Sequence, residues 1–373
     1  MRVLVTGLST YWGGRLAQAL ETDESVEAII GIDRRPPKVA LERTEFVQVA
    51  DAHSLIQRIV QAAEIDTVVD TRLVVDSTVT SPRRAHENNV VGTTNILAAC
   101  GGPDTPVRKL VFRSSAHFYG AEQDDPAFFT EQMERPHPPR TRIEKDIVDA
   151  ENAVHDFAAA TSAVKVVVLR FAQGLGPGMN TPVTRLLRQP LVPSILGFDP
   201  RLQCIHEDDI VGVLEHAARS DEMEGTYNAA ADGVLALSEV AGLLGKPLAP
   251  ILPPCGTGLA AQQLSRLGVS VPPELLNLLR YGRGLDNRKL KATGYRLHYT
   301  SRETVLKFRE ALRLEGRIAT GQEPYRYERE VEEFLRYSPS VRRSARHAPG
   351  PRNVAPGERE DAVAALESGD DSA

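Results

Sequence analysis

The 373-residue chain is expected to fold as an α/β protein: a doubly wound parallel sheet with a small, mostly helical C-terminal lobe. Three observations carry that expectation. From Met1 to Arg170, short runs dense in Val, Ile and Leu alternate with helical patterns. The apolar runs are not interrupted by polar residues at every second position, which is how parallel strands covered on both faces read. After Phe171 the texture changes to short segments broken by Gly and Pro.

Strands are expected at Arg2–Thr6, Val26–Ile32, Glu45–Val49, Thr67–Asp70, Lys109–Arg113 and Val164–Arg170. Helices are expected between them at Gly13–Leu20, Ser54–Ala63, Ala85–Cys100 and Ile143–Ala159. Such alternation implies βαβ units. A later strand at Gly225–Ala229 and a helix from Glu207 return to the same unit. The expected organisation is a nucleotide-binding domain over 1–180 that also receives 205–235, and a small lobe from 181–204 and 236–335. The stretch 339–373 is polar and charged, poor in large apolar residues, and expected to be a disordered tail.

A net charge of -6 argues against nucleic acid as partner, because phosphate-binding surfaces are basic. The three cysteines stand far apart without metal-ligand spacing, so no metal site is expected. No run reaches the ~18–20 apolar residues of a membrane span, and the N-terminus enters a strand directly. The expected location is cytoplasmic.

The stretch VLVTGLSTYWGGRLAQAL, Val3 to Leu20, reads as strand, tight turn and helix start. This is how a dinucleotide-binding, Rossmann-type unit opens. Gly7 and Gly13 fill the positions for the bend and for close helix–strand packing. Thr10 stands where the backbone would come nearest a pyrophosphate, and its hydroxyl can donate to a phosphate. The helix N-terminus still favours an anion there. Asp33 lies 20 residues beyond Gly13, where an acid meets ribose hydroxyls. Arg34 and Arg35 follow and could instead meet a 2′-phosphate, but an acid at the strand end favours NAD over NADP. Asp51 is placed to contact adenine. The competing reading gives the glycines only the bend and the packing.

Further stretches are Asn89-Val90-Val91-Gly92-Thr93-Thr94-Asn95, Ser114-Ser115-Ala116-His117-Phe118-Tyr119-Gly120, Leu169-Arg170-Phe171 with Gly176-Pro177, Ile205-His206-Glu207-Asp208-Asp209, Tyr227-Asn228 and Asp286 to Leu290. With the glycine turn and Asp33, in this order, the chain resembles the extended short-chain dehydrogenase/reductases. These are the NAD-dependent, UDP-glucose 4-epimerase-like epimerases and dehydratases of sugar nucleotides. The resemblance runs from Met1 to about Arg313. It implies a Ser, a Tyr and a Lys that act together, the Tyr moving a hydroxyl proton while hydride passes to or from the nicotinamide.

Ser115 matches the serine and Lys145 the lysine, which in the family also holds the nicotinamide ribose. The tyrosine position, four residues before Lys145, is Thr141, and no tyrosine lies between Gly120 and Glu224. An aliphatic hydroxyl is a poor proton donor or acceptor near neutral pH. His117 is the first candidate to take over, with Tyr119 and His137 behind it; the plainer reading makes His117 an ordinary histidine at a strand end. Asp70-Thr71-Arg72 brings two charges to the cofactor edge. Arg72 is expected to meet a phosphate, to pair with Asp70 or Asp76, or to fill nicotinamide space. Gln173 replaces a substrate-holding Asn. Arg201 and Arg283 fall near positions where arginines clamp a diphosphate, and either also reads as a surface arginine. In His206-Glu207-Asp208-Asp209 the resemblance implies a structural segment, with Asp208 capping a helix.

The resemblance therefore implies NAD and a nucleotide sugar or related small molecule as ligands, and a homodimer. The alternative is a catalytically inactive, nucleotide-binding regulatory or scaffold protein.

Overall fold

The computed structural model describes residues 1–49, 53–102, 104–253, 255 and 271–319, the side chains of the last four excepted. The expected tail and Asp51 lie outside the described residues.

Five strands come first: β1 (Arg2–Thr6), β2 (Ala28–Asp33), β3 (Thr44–Gln48), β4 (Thr67–Asp70) and β5 (Lys109–Ser115). After the short β6 (Phe128–Phe129) comes β7 (Lys165–Phe171). Then follow β8 (Gln173–Leu175), β9 (Val192–Ile195), β10 (Arg201–Leu202), β11 (Cys204–His206) and β12 (Gly225–Ala229). Seven of these form one sheet in the order β12-β7-β5-β4-β1-β2-β3, with every neighbouring pair parallel. All seven strands read from the sequence are in it, with ends displaced by two residues at most.

The helices between them are α1 (Tyr11–Glu21), α2 (His53–Ala62), α3 (Pro82–His86), α4 (Gly92–Cys100) and α5 (Arg142–Ala160). Next come α6 (Pro182–Arg188), α7 (Glu207–Arg219) and α8 (Leu237–Leu244). Helix α1 packs on α7, while α4 packs on α2 and α5. The chain runs from β1 outward to β3 and then returns to place β4 on the other side of β1. That reversal leaves a crevice at the carboxyl ends of β1 and β4, where doubly wound sheets take their ligands.

The helix expected at Ala85–Cys100 is split. A π-helical turn over Glu87–Val91 separates α3 from α4. Its cause is tertiary: Asn88 donates to the Arg72 carbonyl at 2.9 Å, and Asn89 exchanges two hydrogen bonds with the Val74 backbone at 2.7 and 2.8 Å. Such a wide turn lets both amides reach the loop after β4.

A second hydrophobic core forms apart from that of the sheet. Leu186, Val192, Leu237, Leu275 and Phe308 are among its buried side chains. It is built around α6, α8 and the helices Pro273–Tyr281 and Ser301–Ala319. No helix among the described residues is long and apolar enough to cross a membrane.

Candidate functional site

The turn after β1 is shaped by its two glycines. Gly7 has φ +79°, and a Cβ there would come within 2.5 Å of the Arg72 Cγ. A Cβ on Gly13 would overlap the Gly7 carbonyl. Neither position has room for a side chain, and Gly7 also has a backbone that L-residues avoid. Thr10 is the N-cap of α1: its hydroxyl accepts from the Gly13 N–H at 3.1 Å and donates to the Gly7 carbonyl at 2.7 Å. The β-branched residue thus serves the turn it interrupts. Asp33 draws the turn to the end of β2, accepting from the Ser9 N–H at 2.9 Å and the Arg34 N–H at 2.6 Å. Arg34 and Arg35 are exposed beside it.

Arg72 pairs with Asp70, one of the alternatives open to it. Its Nε and Nη2 meet the two carboxylate oxygens at 3.0 and 3.1 Å. Asp70 is 2% exposed and also accepts from the Thr6 hydroxyl. The Arg72 stem crosses Gly7 and its Nη1 lies 2.5 Å from where a Gly92 Cβ would stand. Gly92 is therefore the second glycine that makes room for this arginine. Asp76 bonds Arg185 instead, at 2.8 Å.

Ser115 ends β5 and accepts from the His117 N–H at 3.3 Å. Helix α5 packs against β5 and against the short 3₁₀ turn Ala116–Phe118. Thr141 is the N-cap of α5, in a reciprocal capping box with Glu144. Its hydroxyl accepts from the Glu144 N–H at 3.2 Å, the ordinary use of threonine at a helix start. Lys145 is exposed one turn later, on the same side of the helix.

Arg135, absent from the sequence reading, joins the two ends of this site. It donates to the His117 carbonyl at 2.9 Å and the His137 carbonyl at 2.6 Å, and pairs with Glu144 at 3.0 Å. Beneath it lies a second buried network. Glu151 accepts from the Arg170 Nε at 2.7 Å and from the Ser114 hydroxyl. The Arg170 guanidinium in turn lies 3.7 Å from the Phe118 ring centroid and 4.6 Å from that of Tyr119.

Two groups considered as replacement acids have settled environments. Tyr119 is buried, with its hydroxyl between Asn228 at 2.9 Å and the Thr130 carbonyl at 3.1 Å. Burial pushes its pKa up. Burial, then Arg283 and Arg135, push the His117 imidazole down to about 3, so it is neutral at pH 7. His137 faces Asp124 at 2.9 Å.

The lowered His117 value predicts a pH dependence. A histidine that cannot take a proton when folded stabilises the fold above its unfolded value, ordinarily about 6.5. That contribution is lost as pH falls from there toward the folded value. The expected result is a urea midpoint that drops between about pH 7 and pH 4.5 and drops less in His117→Asn. An equal drop in both proteins would contradict it.

The Arg283 N–H donates to the Arg201 carbonyl at 3.1 Å, which brings the two expected arginines together. Arg283 is buried and its side chain reaches the Gly120 carbonyl, while Arg201 is exposed. Gln173 pairs with Cys204, three residues beyond Arg201. The segment after β11 differs from expectation in one respect. His206, not Asp208, caps α7, its Nδ1 accepting from the Asp208 N–H at 3.2 Å. Asp208 instead pairs with Arg15 at 3.3 Å. Asp209 anchors His298 and Tyr299.

The model of the NAD dependent epimerase/dehydratase family matches residues 3–230. The chain belongs to that family. It is 33% identical over 310 residues to the uncharacterized protein Rv0501 of Mycobacterium tuberculosis, covering 81% of each chain. Among solved structures it is similar to a UDP-glucuronic acid 4-epimerase from Bacillus cereus in complex with UDP-glucuronic acid and NAD. There the identity is 16%, the coverage 84% of this chain and 99% of that one, and the TM-score 0.64. It is also similar to the UDP-glucose 4-epimerase of Thermotoga maritima with UDP-glucose, at 20% identity, the same coverages and a TM-score of 0.63. At these identities the likeness establishes the shared fold. This epimerase/dehydratase family member has the glycine turn at the end of β1 and Thr141 as the cap of α5.

Proposed function

We propose that this family member binds NAD at the carboxyl edge of β1 and β4 and a nucleotide sugar beside Arg201, Arg283 and Gln173. We propose further that it lacks tyrosine-driven epimerase turnover. The residues fit NAD. Gly7 and Gly13 permit the tight turn, α1 points its N-terminus there, and Asp33 stands at the end of β2 for the ribose hydroxyls. A carboxylate at that point opposes a 2′-phosphate, which favours NAD over NADP. Asp51 is assigned to adenine, and Lys145 to the nicotinamide ribose, by family resemblance. Bound NAD would supply a hydride acceptor.

The observation that carries the loss of turnover is the Thr141 cap. Its hydroxyl is engaged with the start of α5, and its acidity is far from that of a phenol. Neither the Tyr119 hydroxyl, held by Asn228 and Thr130, nor the neutral His117 supplies the missing group. Ser115 can orient a sugar hydroxyl, but among the described residues neither Tyr119 nor His117 is suited to take its proton. The second reading, a regulatory or scaffold protein that binds nucleotide without turning it over, rests on this same cap. A homodimer and a cytoplasmic location belong to the proposal through the family resemblance.

Incubated with NAD and UDP-glucose, the protein is expected to form no UDP-galactose above the background without protein. Robust turnover would overturn the proposal. If turnover appears, His117→Ala decides whether that imidazole carries it.

A further inference from the structure

Two guanidinium groups, those of Arg72 and Arg113, stand at the edge where the proposed dinucleotide would lie. Arg113, on β5, is 8% exposed and has its guanidinium carbon 5.4 Å from the Trp12 ring centroid. Its Nη1 donates to the Leu73 carbonyl at 2.9 Å, and its buried Nε has no hydrogen-bond partner. Leu73 follows Arg72 directly, and Trp12 is in the first turn of α1. Arg72 and Arg113 therefore converge on the loop after β4, next to the glycine turn. Asp70 pairs with Arg72 and also lies close enough to Arg113 to favour its charge. A buried guanidinium with an unpartnered Nε, as in Arg113, is costly unless an anion joins it. A guanidinium fork matches phosphate oxygens.

We infer that Arg72, aligned by Asp70 and backed by Arg113, is the cation that holds the diphosphate of the dinucleotide in this chain. The inference rests on the nucleotide-binding reading above. Thr10 places a side chain where a close backbone approach to the diphosphate is expected, and Arg72 lies across Gly7 at the same turn. The contact that Thr10 narrows is replaced by a charged one. The Asp70 pair sets the orientation: it holds Nε and Nη2 and directs Nη1 toward Gly92.

The test is calorimetric titration of the full-length protein with NAD and with ADP-ribose, which shares the diphosphate and lacks the nicotinamide. Arg72→Met is expected to weaken both by about tenfold to a hundredfold, the cost of a lost charge-assisted bond. The loss should shrink as salt rises. Because Arg72→Met leaves Asp70 buried without its partner, Asp70→Asn/Arg72→Met is measured beside it and should show the same loss. Unchanged affinity for both ligands would overturn the inference and leave the nucleotide-binding reading standing. Tighter binding would make Arg72 a plug, and a loss confined to NAD would move it to the nicotinamide end; either overturns the inference. Wild-type protein that binds neither ligand would overturn both.

Discussion

Glu151→Ala is expected to lower the unfolding free energy by about 3–5 kcal/mol, the usual cost of leaving one member of a buried ion pair alone. Glu151 is fully buried on α5 and faces Arg170 of β7, itself 3% exposed. Truncation would strand a guanidinium between sheet and helix, where its Nη1 already lacks a hydrogen-bond partner. It would also free the Ser114 hydroxyl and loosen the stacking of Arg170 on Phe118 and Tyr119. The 3₁₀ turn after Ser115 rests on that stacking, so the effect should reach the candidate site. Replacing both partners by apolar residues, as in Glu151→Leu/Arg170→Met, should recover much of the loss, because a buried pair contributes little net stability over a well-packed apolar one. Urea unfolding of the three proteins checks this. A single variant as stable as the wild type would contradict it.

Gly13→Val is expected to have the second large effect, on structure and ligand together. A Cβ at Gly13 overlaps the backbone oxygen of Gly7 and comes within 2.9 Å of the Thr71 hydroxyl oxygen. Backbone cannot swing aside as a flexible side-chain end can. The start of α1 must therefore move off β1, at an overpacking cost of about 1–3 kcal/mol. Thr10 would lose its bond to the Gly13 N–H, and with it the cap. The expected result is a lower urea midpoint and no calorimetric signal with NAD under conditions where the wild type gives one. Retained NAD binding would show that the turn is not where the dinucleotide sits.

These effects trace which parts of the molecule were legible in its residues. The inner strands β1, β2 and β7 were legible because strands buried on both faces are continuous apolar runs, and VLVT, AIIG and VVVL are such runs. Gly7 and Gly13 were legible because only glycine meets the geometry of that turn. The segment from Gln173 to His206 was not. Its strands are two to four residues long, too short for any period to register. The π turn at Glu87–Val91 was hidden for another reason. It depends on Asn88 and Asn89 bonding a loop many residues away, which no local propensity encodes. Arg135 lies in a proline-rich loop with no pattern, and only the fold brings it to Glu144 and the His117 carbonyl. The partner of Arg72 was one of several open choices. Asp70, two residues earlier at the strand end, is the carboxylate already fixed beside it by Thr6.

The Thr141 cap has both readings at once. Thr-x-x-Glu before an apolar helix is a capping box by pattern, and the structure uses it as one. The same residue, four before Lys145, stands where family resemblance expects a phenol.

The most direct test of the account is thermal unfolding of the purified protein with NAD, NADH, NADP and a panel of UDP- and dTDP-sugars. A ligand that binds only the native state at a hundred times its dissociation constant adds ~2.7 kcal/mol of stability, which is readily seen as a raised midpoint. A raised midpoint is expected with NAD, a smaller one with NADP, and no reduced nicotinamide when a sugar nucleotide is added. No shift with any nucleotide would contradict it, and would leave the glycine turn as architecture alone.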